Sequence, residues 1–258
     1  MIKIHFTFDK TKKAQELKKK IFAKYKNYSP QKANFIVVGG GDGYMLSSLK
    51  KYVNFHKPFY GINCGAYGFL MNNLSKEALE KKIIFAKKIY IKPLIIKAKT
   101  NNFKKTILAI NEVSLFRQSR QTASLKLKIG NKEILKKLIG DGILVATPAG
   151  STAYNLSVQG PIMSLDSKKL AVTPISPFRP RRWKGKIVSN KQKIKIINLD
   201  PVKRPIAAVA DNIEIRNIRS VEVEICKKTM FCLLYDKKRS LIKKISLEQK
   251  IQNLFYYF

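Results

Sequence analysis

Hydrophobic and polar residues alternate in two different ways along the first third of the chain. Short apolar runs typical of buried strands are each followed by a segment with apolar residues every three to four positions, the spacing of an amphipathic helix. The predicted order is strand, helix, strand, helix, strand, helix over residues 2–8, 11–25, 34–38, 42–53, 58–63 and 75–88. Strands that alternate with helices predict a parallel sheet with crossover helices. We therefore expect an α/β nucleotide-binding domain over residues 1–92.

After Pro93 the pattern changes to short strand-like segments separated by turn residues. They span residues 94–99, 104–116, 124–129, 132–147, 192–199, 206–216, 221–226 and 231–235. This spacing is typical of antiparallel hairpins, and one short helix is predicted near residues 151–159. We expect a mostly antiparallel β domain over residues 93–239. Residues 240–258 return to helical spacing with an apolar stripe, which predicts a C-terminal helix that packs back on the first domain.

Composition is that of an ordinary globular protein. The chain has 258 residues, of which 45% are hydrophobic, enough for a packed core. No apolar run approaches the roughly 18 residues that span a bilayer, and the N-terminus lacks a secretory signal pattern. A cytoplasmic protein without membrane association is expected. The three cysteines, Cys64, Cys226 and Cys232, form no CxxC pair, which favours reduced packing residues over a disulfide framework or a zinc site.

The net charge of +36 leaves two interpretations open. A surplus of 52 basic over 16 acidic residues suits a polyanionic partner, because clustered Lys and Arg neutralise phosphates. The lysines are spread along the whole chain, however, as on a surface that drifted toward lysine in an AT-rich genome. The only concentrated basic run with an aromatic, residues 178–186, is weak evidence for a surface that stacks on bases. We expect no specific nucleic-acid partner.

A carboxylate is the best candidate for any proton transfer. The chain has only two histidines, His5 and His56, so Ser-His or Cys-His nucleophilic chemistry has little to work with. Asp42 lies in "GGGDG", residues 39–43, between a predicted strand and a predicted helix. Such a turn lets a phosphate approach the backbone, although it matches neither the Walker A motif nor the dinucleotide fingerprint. Asp42 is either a helix cap or an acid that holds Mg²⁺ or accepts a proton in phosphoryl transfer.

Two segments in the second half carry further polar groups. Asn111 and Glu112 interrupt an apolar strand pattern in "NEV". Because neighbouring strand residues face opposite sides, at least one of them is expected to point to a buried or ligand-binding side, unless the strand is a solvated edge. The segment "GDGILVATPAGSTAY", residues 140–154, joins a second Asp-Gly to a strand and a hydroxyl-rich loop. Such a loop binds sugars, amides and phosphates, or is a simple Ser/Thr helix cap.

Taken together, these motifs resemble the bacterial NAD kinase family. "GGDG", "GINCGAYGFL", "NEV" and "GDGILVATPAGSTAY" match it in order and separation between about residues 34 and 180. "GGDG" with a later "NE" also occurs in lipid kinases of the diacylglycerol type, whereas "TPAGSTAY" is much more specific. The resemblance implies phosphorylation of the 2′-hydroxyl of the adenosine ribose of NAD to give NADP, with ATP and with Mg²⁺ or another divalent cation. A lipid kinase and a basic nucleic-acid-binding protein are the alternatives.

The resemblance also implies roles for individual residues. Asp42 would accept the proton, Gly43 would contact the dinucleotide, and Phe69 would lie near the adenine. The other residues expected to bind NAD are Asn111, Glu112, Asp141, Ala149, Thr152, Ala153, Tyr154, Asn155, Leu156 and Ser157. The family likeness favours a homodimer or a homotetramer.

Four residues depart from the family pattern. Tyr44 replaces a threonine after "GGDG", which bears on contacts to the phosphate donor, and Ala149 replaces a hydroxyl residue, which removes one possible adenine hydrogen bond. Ile139 stands where a basic residue often precedes the second "GDG", and Gln159 replaces a glycine after the loop. These departures concern individual contacts.

Overall fold

The computed structural model describes residues 2–65, 68–75 and 77–237. Its chain divides into two compact units. One unit comprises the chain up to Ile91 and takes up again at Phe231, and the other is Lys92–Met230. The helix predicted over residues 240–258 lies outside the described residues.

The first unit combines helices with one five-stranded sheet. Its described elements are β1 (Ile4–Phe8), α1 (Lys12–Phe22), β2 (Phe35–Gly40), α2 (Asp42–Lys51), β3 (Phe59–Asn63), α3 (Leu79–Phe85), β4 (Lys87–Ile91) and β17 (Phe231–Tyr235). The strand order is β1-β2-β3-β17-β4. Strands β1, β2, β3 and β17 are parallel neighbours, which confirms the expected parallel sheet, but β4 runs antiparallel to β17 and makes the sheet mixed.

Helical periodicity explains how α1 packs, whereas α3 ends earlier than its periodicity predicts. Ala14, Leu17 and Ile21, spaced three and four residues apart, are the buried positions of α1, and the latter two belong to the core of the first unit. The helix predicted over residues 75–88 is shorter, because Lys87 already belongs to β4. Pairing of β4 with β17 replaces the last helical turn.

The predicted domain limits assign strand β17 to the second domain, whereas the structure places it in the first unit. It pairs with β3 and β4 of the first unit. Just after it, Asp236 accepts a hydrogen bond from the Tyr60 hydroxyl at 2.8 Å and forms a 2.7 Å ion pair with Lys82. The buried Asn72 amide donates to the carbonyl of Leu234 at 2.9 Å. These contacts join segments far apart in the sequence, so a local pattern does not reveal them.

The second unit is a sandwich of two six-stranded antiparallel sheets, as the mostly antiparallel prediction requires. One sheet contains, in spatial order, β12 (Lys186–Ser189), β11 (Lys169–Ile175), β10 (Gly142–Ala146), β7 (Glu112–Arg117), β14 (Ile206–Ala210) and β15 (Ile213–Ile215). The other contains β6 (Lys104–Ala109), β5 (Leu94–Lys99), β16 (Ser220–Ile225), β13 (Ile194–Asn198), β8 (Ala123–Ile129) and β9 (Lys132–Gly140). Apolar side chains of both sheets form one core. Strands β4, β11 and β12 are absent from the sequence prediction.

Strand β10 is buried along its whole length because both of its faces are covered. Ile143 and Val145 face the core between the sheets, and Leu144 and Ala146 belong to a smaller apolar cluster on the opposite face. A 3₁₀ turn, Ala149–Thr152, and the short helix α4 (Tyr154–Ser157) follow, which confirms the helix predicted near residues 151–159. This loop covers the outer face of the sheet through Tyr154 and Val158.

None of the helices within the described ranges is long and apolar enough to cross a membrane.

Candidate active site

Asp42 is held by backbone groups at the glycine turn of the first unit. Strand β2 ends at Gly40, Gly41 is the N-cap of α2, and Asp42 is the first helical residue. The Asp42 carboxylate accepts hydrogen bonds from the backbone N–H of Phe69 at 2.7 Å and of Leu70 at 2.9 Å. The interpretation of Asp42 as the helix cap is therefore wrong. Its carboxylate connects the turn to the loop after β3 and is oriented by two donors.

The glycines of the turn fall into two kinds. A Cβ added at Gly39 would lie 2.5 Å from the ring of Phe8, so packing requires glycine there. Beyond its chain neighbours and its own helix backbone, a Cβ added at Gly41 or Gly43 would meet no atom of the described residues within 4 Å. The backbone at these two positions is open to a ligand, and the helix start adds unpaired N–H groups and a partial positive charge. Of the predicted residues, the first unit brings together Asp42, Gly43 and Phe69.

In the second unit, Asn111 and Glu112 lie where β7 begins and β10 ends. Glu112 pairs with Ala146, and the N–H of Thr147 donates to the carbonyl of Asn111 at 2.8 Å. Strand β7 lies between β10 and β14, so the solvated-edge interpretation of this strand is wrong. Among the described residues, Asn111 Oδ1 and Glu112 Oε2 are the buried side-chain atoms without a hydrogen-bond partner. Buried polar atoms normally have partners, so this pair points to a ligand.

The Glu112 carboxyl keeps its proton at neutral pH. Burial, and next the charge of Asp211, raise its pKa from 4.5 to about 8. A protonated carboxyl offers an O–H donor as well as an acceptor oxygen. Asp211 follows β14 and accepts hydrogen bonds from the N–H of Ile110 and of Asn111. Sequence reasoning missed Asp211 because residues 206–216 are predicted as one strand segment, whereas the structure turns at Asp211.

The loop after β10 is built directly on the backbone of residues 110 and 111. The Thr147 hydroxyl donates to the carbonyl of Ile110 at 2.7 Å and accepts from the N–H of Gly150 at 3.1 Å. A Cβ at Gly150 would lie 2.2 Å from the carbonyl oxygen of Asn111, so only glycine allows this approach. Ala149 is buried within the same turn. The local sequence "TPAG" thus anchors the loop next to Asn111.

Two polar residues of the loop serve its internal structure. The Ser151 hydroxyl accepts a hydrogen bond from the N–H of Met163 at 3.0 Å. Asn155 is fully buried, donates to the carbonyl of Pro161 at 3.0 Å and accepts from the Thr173 hydroxyl at 2.7 Å. The Asn155 side chain thus supports the loop from below, and the expected contact of this residue with NAD stays a prediction.

The remaining predicted residues of the loop lie at its surface. Four of them are half-buried, namely Thr152, Ala153, Tyr154 and Leu156. Ser157 is exposed. The Tyr154 ring lies 5.6 Å from that of Phe116 on β7. Burial, and next the charges of Asp141 and Glu112, raise the pKa of the Tyr154 phenol. Tyr154 therefore interacts electrostatically with acidic groups at both ends of β10.

Asp141 lies at the other end of β10 from the Asn111–Glu112 pair. The strand between them spans about 17 Å at the usual rise per residue. The Asp141 carboxylate forms a 2.5 Å ion pair with the Nε of Arg117, a residue that sequence reasoning did not single out. Asp141 is thus separate from the pair, although its charge reaches Tyr154.

Two departures from the family pattern, Gln159 and Ile139, can be placed in the structure. Gln159 adopts a φ of 62°, in the left-handed region that glycine enters most easily. A residue with a Cβ adopts this conformation at a cost of about 1 kcal/mol. Ile139 belongs to β9, and its carbonyl accepts a hydrogen bond from the N–H of Phe178 at 2.7 Å.

The two aromatic residues of the basic run 178–186 lie in different surroundings. The guanidinium groups of Arg179 and Arg181 lie 5.3 and 5.5 Å from the ring centre of Phe178. Trp183 is partly buried and packs against the core of the sandwich. Trp183 is thus engaged in the core of the sandwich, whereas Phe178 remains 49% exposed beside its two arginines.

Side chains suited to a resident metal ion do not cluster in the described part of the chain. No group of three or more His, Cys, Asp or Glu side chains there is close enough to hold one.

The first unit has an acid that is oriented in a glycine-rich turn at a helix start. The second unit is a β sandwich with two unpartnered buried oxygens under a hydroxyl-rich loop. These features are those of an enzyme of the kinase class. Residues 110–231 match the family model described as ATP-NAD kinase C-terminal domain. The chain is 44% identical to the NAD kinase of Brucella melitensis biotype 1, over 95% of this chain and 96% of the relative. It is also 44% identical to the NAD kinase of Caulobacter vibrioides, over 92% and 91%. The chain belongs to the NAD kinase family.

Solved structures with low sequence identity share the fold. Yeast NADH kinase in complex with NADH superposes with a TM-score of 0.79 at 20% identity, covering 95% of this chain and 86% of the yeast chain. An NAD kinase from Archaeoglobus fulgidus in complex with ATP gives a TM-score of 0.72 at 22% identity, covering 94% and 96%. The α/β unit followed by a β sandwich is therefore an architecture known from solved kinases.

Proposed function

We propose that this protein is an NAD kinase that transfers the γ-phosphoryl group of ATP to the 2′-hydroxyl of the adenosine ribose of NAD and so forms NADP. The observation that carries the proposal is the pair of buried, unpartnered oxygens on Asn111 and Glu112 beneath the loop after β10. A polar ligand would satisfy both oxygens. Relatives 44% identical over nearly the whole chain are NAD kinases, which supports the same reaction here.

Asp42 is the proposed proton acceptor. Its carboxylate is oriented by the N–H groups of Phe69 and Leu70, so it enters the reaction without rearranging. Accepting the proton of the ribose hydroxyl generates the nucleophile for in-line attack on the γ-phosphorus. The open backbone at Gly41 and Gly43 lets phosphate oxygens approach the start of α2, where N–H groups stabilise their charge.

The second unit supplies the proposed dinucleotide contacts. Asn111 Oδ1 accepts a hydrogen bond from NAD, and the protonated Glu112 carboxyl exchanges hydrogen bonds with a hydroxyl of the ligand, which both donates and accepts. The loop surface provides the remaining contacts through Thr152, Ala153, Tyr154, Leu156 and Ser157. Asn155 acts indirectly by holding this loop in place.

A divalent cation, Mg²⁺ or another, is proposed to enter with ATP as part of the substrate. When bound, such a cation offsets the charge that develops on the phosphoryl oxygens. A cytoplasmic homodimer or homotetramer remains a prediction, and light scattering on the purified protein measures its assembly.

Formation of NADP by purified protein from NAD, ATP and Mg²⁺ tests the proposal. A parallel reaction with diacylglycerol in place of NAD tests the lipid kinase alternative. We expect NADP in the first reaction and no phospholipid product in the second. Phosphorylation of diacylglycerol without any NADP would overturn the assignment.

A further inference from the structure

We propose that Asp211 is a positioning residue of the dinucleotide site, whose carboxylate holds Asn111 and Glu112 in the arrangement that receives NAD. This inference rests on the proposed function and extends it to a residue outside the motifs that the sequence singled out. Asp211 lies in the turn between β14 and β15, next to the start of β7.

Three hydrogen bonds join Asp211 to three consecutive residues. Its Oδ2 accepts from the N–H of Ile110 at 2.8 Å, and its Oδ1 accepts from the N–H of Asn111 at 2.9 Å. The N–H of Asp211 donates to the carbonyl of Glu112 at 3.1 Å. Each residue at the entry of β7 is thus held by one bond to Asp211. Bonds to a charged acceptor are stronger than neutral ones, so this segment has little freedom to reorient.

The backbone conformation of Asp211 is a second observation that supports a role for its side chain. Ala210 pairs with Ile213, so Asp211 and Asn212 form a two-residue hairpin turn. Asp211 adopts a φ of 51°, a left-handed conformation in the first position of the turn, where glycine is least strained. Aspartate tolerates this conformation at a modest cost. An observed strained residue beside a site supports a functional role for its side chain, here the carboxylate.

Asp211 also influences the protonation of Glu112. Its charge adds to burial in raising the pKa of the Glu112 carboxyl. Tyr154, on the loop that covers this face of the sheet, is also coupled to Glu112: its pKa is raised by burial and by the charges of Asp141 and Glu112. Asp211 therefore favours a Glu112 that donates a hydrogen bond to the ligand. Asp211 thus orients the entry of β7 and adds to the effect of burial, the larger cause, on the protonation of Glu112.

Steady-state kinetics with two substitutions test the positioning role. Asp211→Gly suits the left-handed turn but removes the carboxylate, and Asp211→Asn keeps the turn preference with one acceptor oxygen and no charge. Asn217→Gly, at an exposed residue that also has a positive φ, of 56°, is the control for the backbone change. We expect Asp211→Gly to raise the KM for NAD by about tenfold or more, the effect of losing charge-assisted hydrogen bonds. Asp211→Asn should have a smaller effect in the same direction.

The KM for ATP and kcat separate positioning from general damage to the fold. We expect both to stay within about twofold of wild type in the Asp211 variants and in Asn217→Gly, since the lost contacts are those of the dinucleotide site. An unchanged KM for NAD in both Asp211 variants would overturn the proposal, and so would an equal rise in the KM for ATP. If Asp211→Gly does not fold, Asp211→Asn provides the comparison.

A titration independent of enzyme activity completes the test. Carbon-13 NMR of glutamate carboxyl groups follows Glu112 directly, with Glu112→Gln identifying its signal. We expect Glu112 to titrate at lower pH in either Asp211 variant than in wild type, because a neighbouring negative charge is gone. An unshifted titration would contradict the coupling of the two residues. If the wild-type protein formed no NADP, the proposed function would fail while this titration still reported on Asp211 and Glu112.

Discussion

The hydroxyl of Tyr44 lies 2.6 Å from Oγ1 of Thr7 and shares a hydrogen bond with it, joining helix α2 to strand β1. Tyr44 also covers the end of β2, since a Cβ at Gly40 would lie 3.0 Å from the Cβ of Tyr44. Tyr44 is one of the departures from the family pattern, where a threonine follows "GGDG". Its larger side chain directs the hydroxyl to the neighbouring strand, so in this chain the residue stabilises the turn from within the first unit.

Replacing Tyr44 by phenylalanine should therefore lower stability and leave catalysis nearly unchanged. The variant loses one hydrogen bond and leaves the buried Thr7 hydroxyl without its partner, at a cost of about 1 kcal/mol. Urea denaturation measures the loss, and NADP formation should stay within about twofold of wild type because the hydroxyl faces Thr7.

Thr7→Val is the matched control for Tyr44→Phe. Because both substitutions remove the same bond, the double variant should lose little more stability than either single variant. A Tyr44→Phe protein of normal stability but reduced turnover would show that the hydroxyl serves the reaction instead.

Replacing Asp42 by asparagine should lower turnover by at least about 10²-fold, the scale expected when a general base is lost. The carboxamide has one acceptor oxygen for the N–H groups of Phe69 and Leu70, so stability should fall by about 1 kcal/mol. Steady-state assays give kcat, and calorimetry measures NAD binding, which should be largely retained. Asp166→Asn, at an exposed carboxylate, should behave as wild type. Near-normal turnover of Asp42→Asn would remove Asp42 from the mechanism.

Replacing Gly43 by alanine separates a ligand-binding glycine from a packing glycine. Beyond its chain neighbours and its own helix backbone, the new Cβ meets no atom of the described residues within 4 Å, and alanine in a helix is favoured over glycine by up to about 1 kcal/mol. Thermal unfolding should therefore show equal or higher stability, while the KM for a nucleotide substrate rises because the methyl group occupies the ligand's approach. Gly39→Ala, where the Cβ would lie 2.5 Å from the Phe8 ring, should instead lose about 1–3 kcal/mol. Unchanged kinetics in Gly43→Ala would refute the predicted contact.

Glu112 makes stability depend on pH in a defined direction. Its pKa is about 8 in the folded protein against an ordinary value of 4.5, so the folded state binds the proton more tightly between these pH values. The free energy of unfolding should accordingly fall as pH rises from about 4.5 to about 8, by up to about 1.4 kcal/mol per pH unit from this residue.

Glu112→Gln should remove this dependence, because glutamine does not titrate. Denaturation curves at several pH values should show the stability of the variant gaining on wild type as pH rises. Glu133→Gln, at a carboxylate in a 3.2 Å ion pair with Lys126, should not flatten the pH profile in this way. Parallel profiles for wild type and Glu112→Gln would contradict the raised pKa.

Local periodicity predicted most of the elements of this protein, and its motifs marked several candidate functional positions. The spacing of Ala14, Leu17 and Ile21 predicts the buried face of α1, because side chains three to four residues apart share one side of a helix. Turn residues between alternating segments predict the hairpins of the second unit. The position of Asp42 between a strand and a helix likewise follows from the sequence, as does the family resemblance carried by its motifs.

Tertiary structure decided the partners of these elements and of their polar groups. Three such choices depend on residues far apart in sequence. They are the pairing of β17 with β3, the binding of the Asp42 carboxylate to Phe69 and Leu70 in place of its own helix, and the contact of Asp211 with the start of β7. A strand or an acid is compatible with several partners, and the burial of the surrounding residues selects among them. The chain pattern therefore predicted where the polar residues lie along the sequence, and the packed fold determined which buried oxygens, those of Asn111 and Glu112 among the described residues, are left without a protein partner.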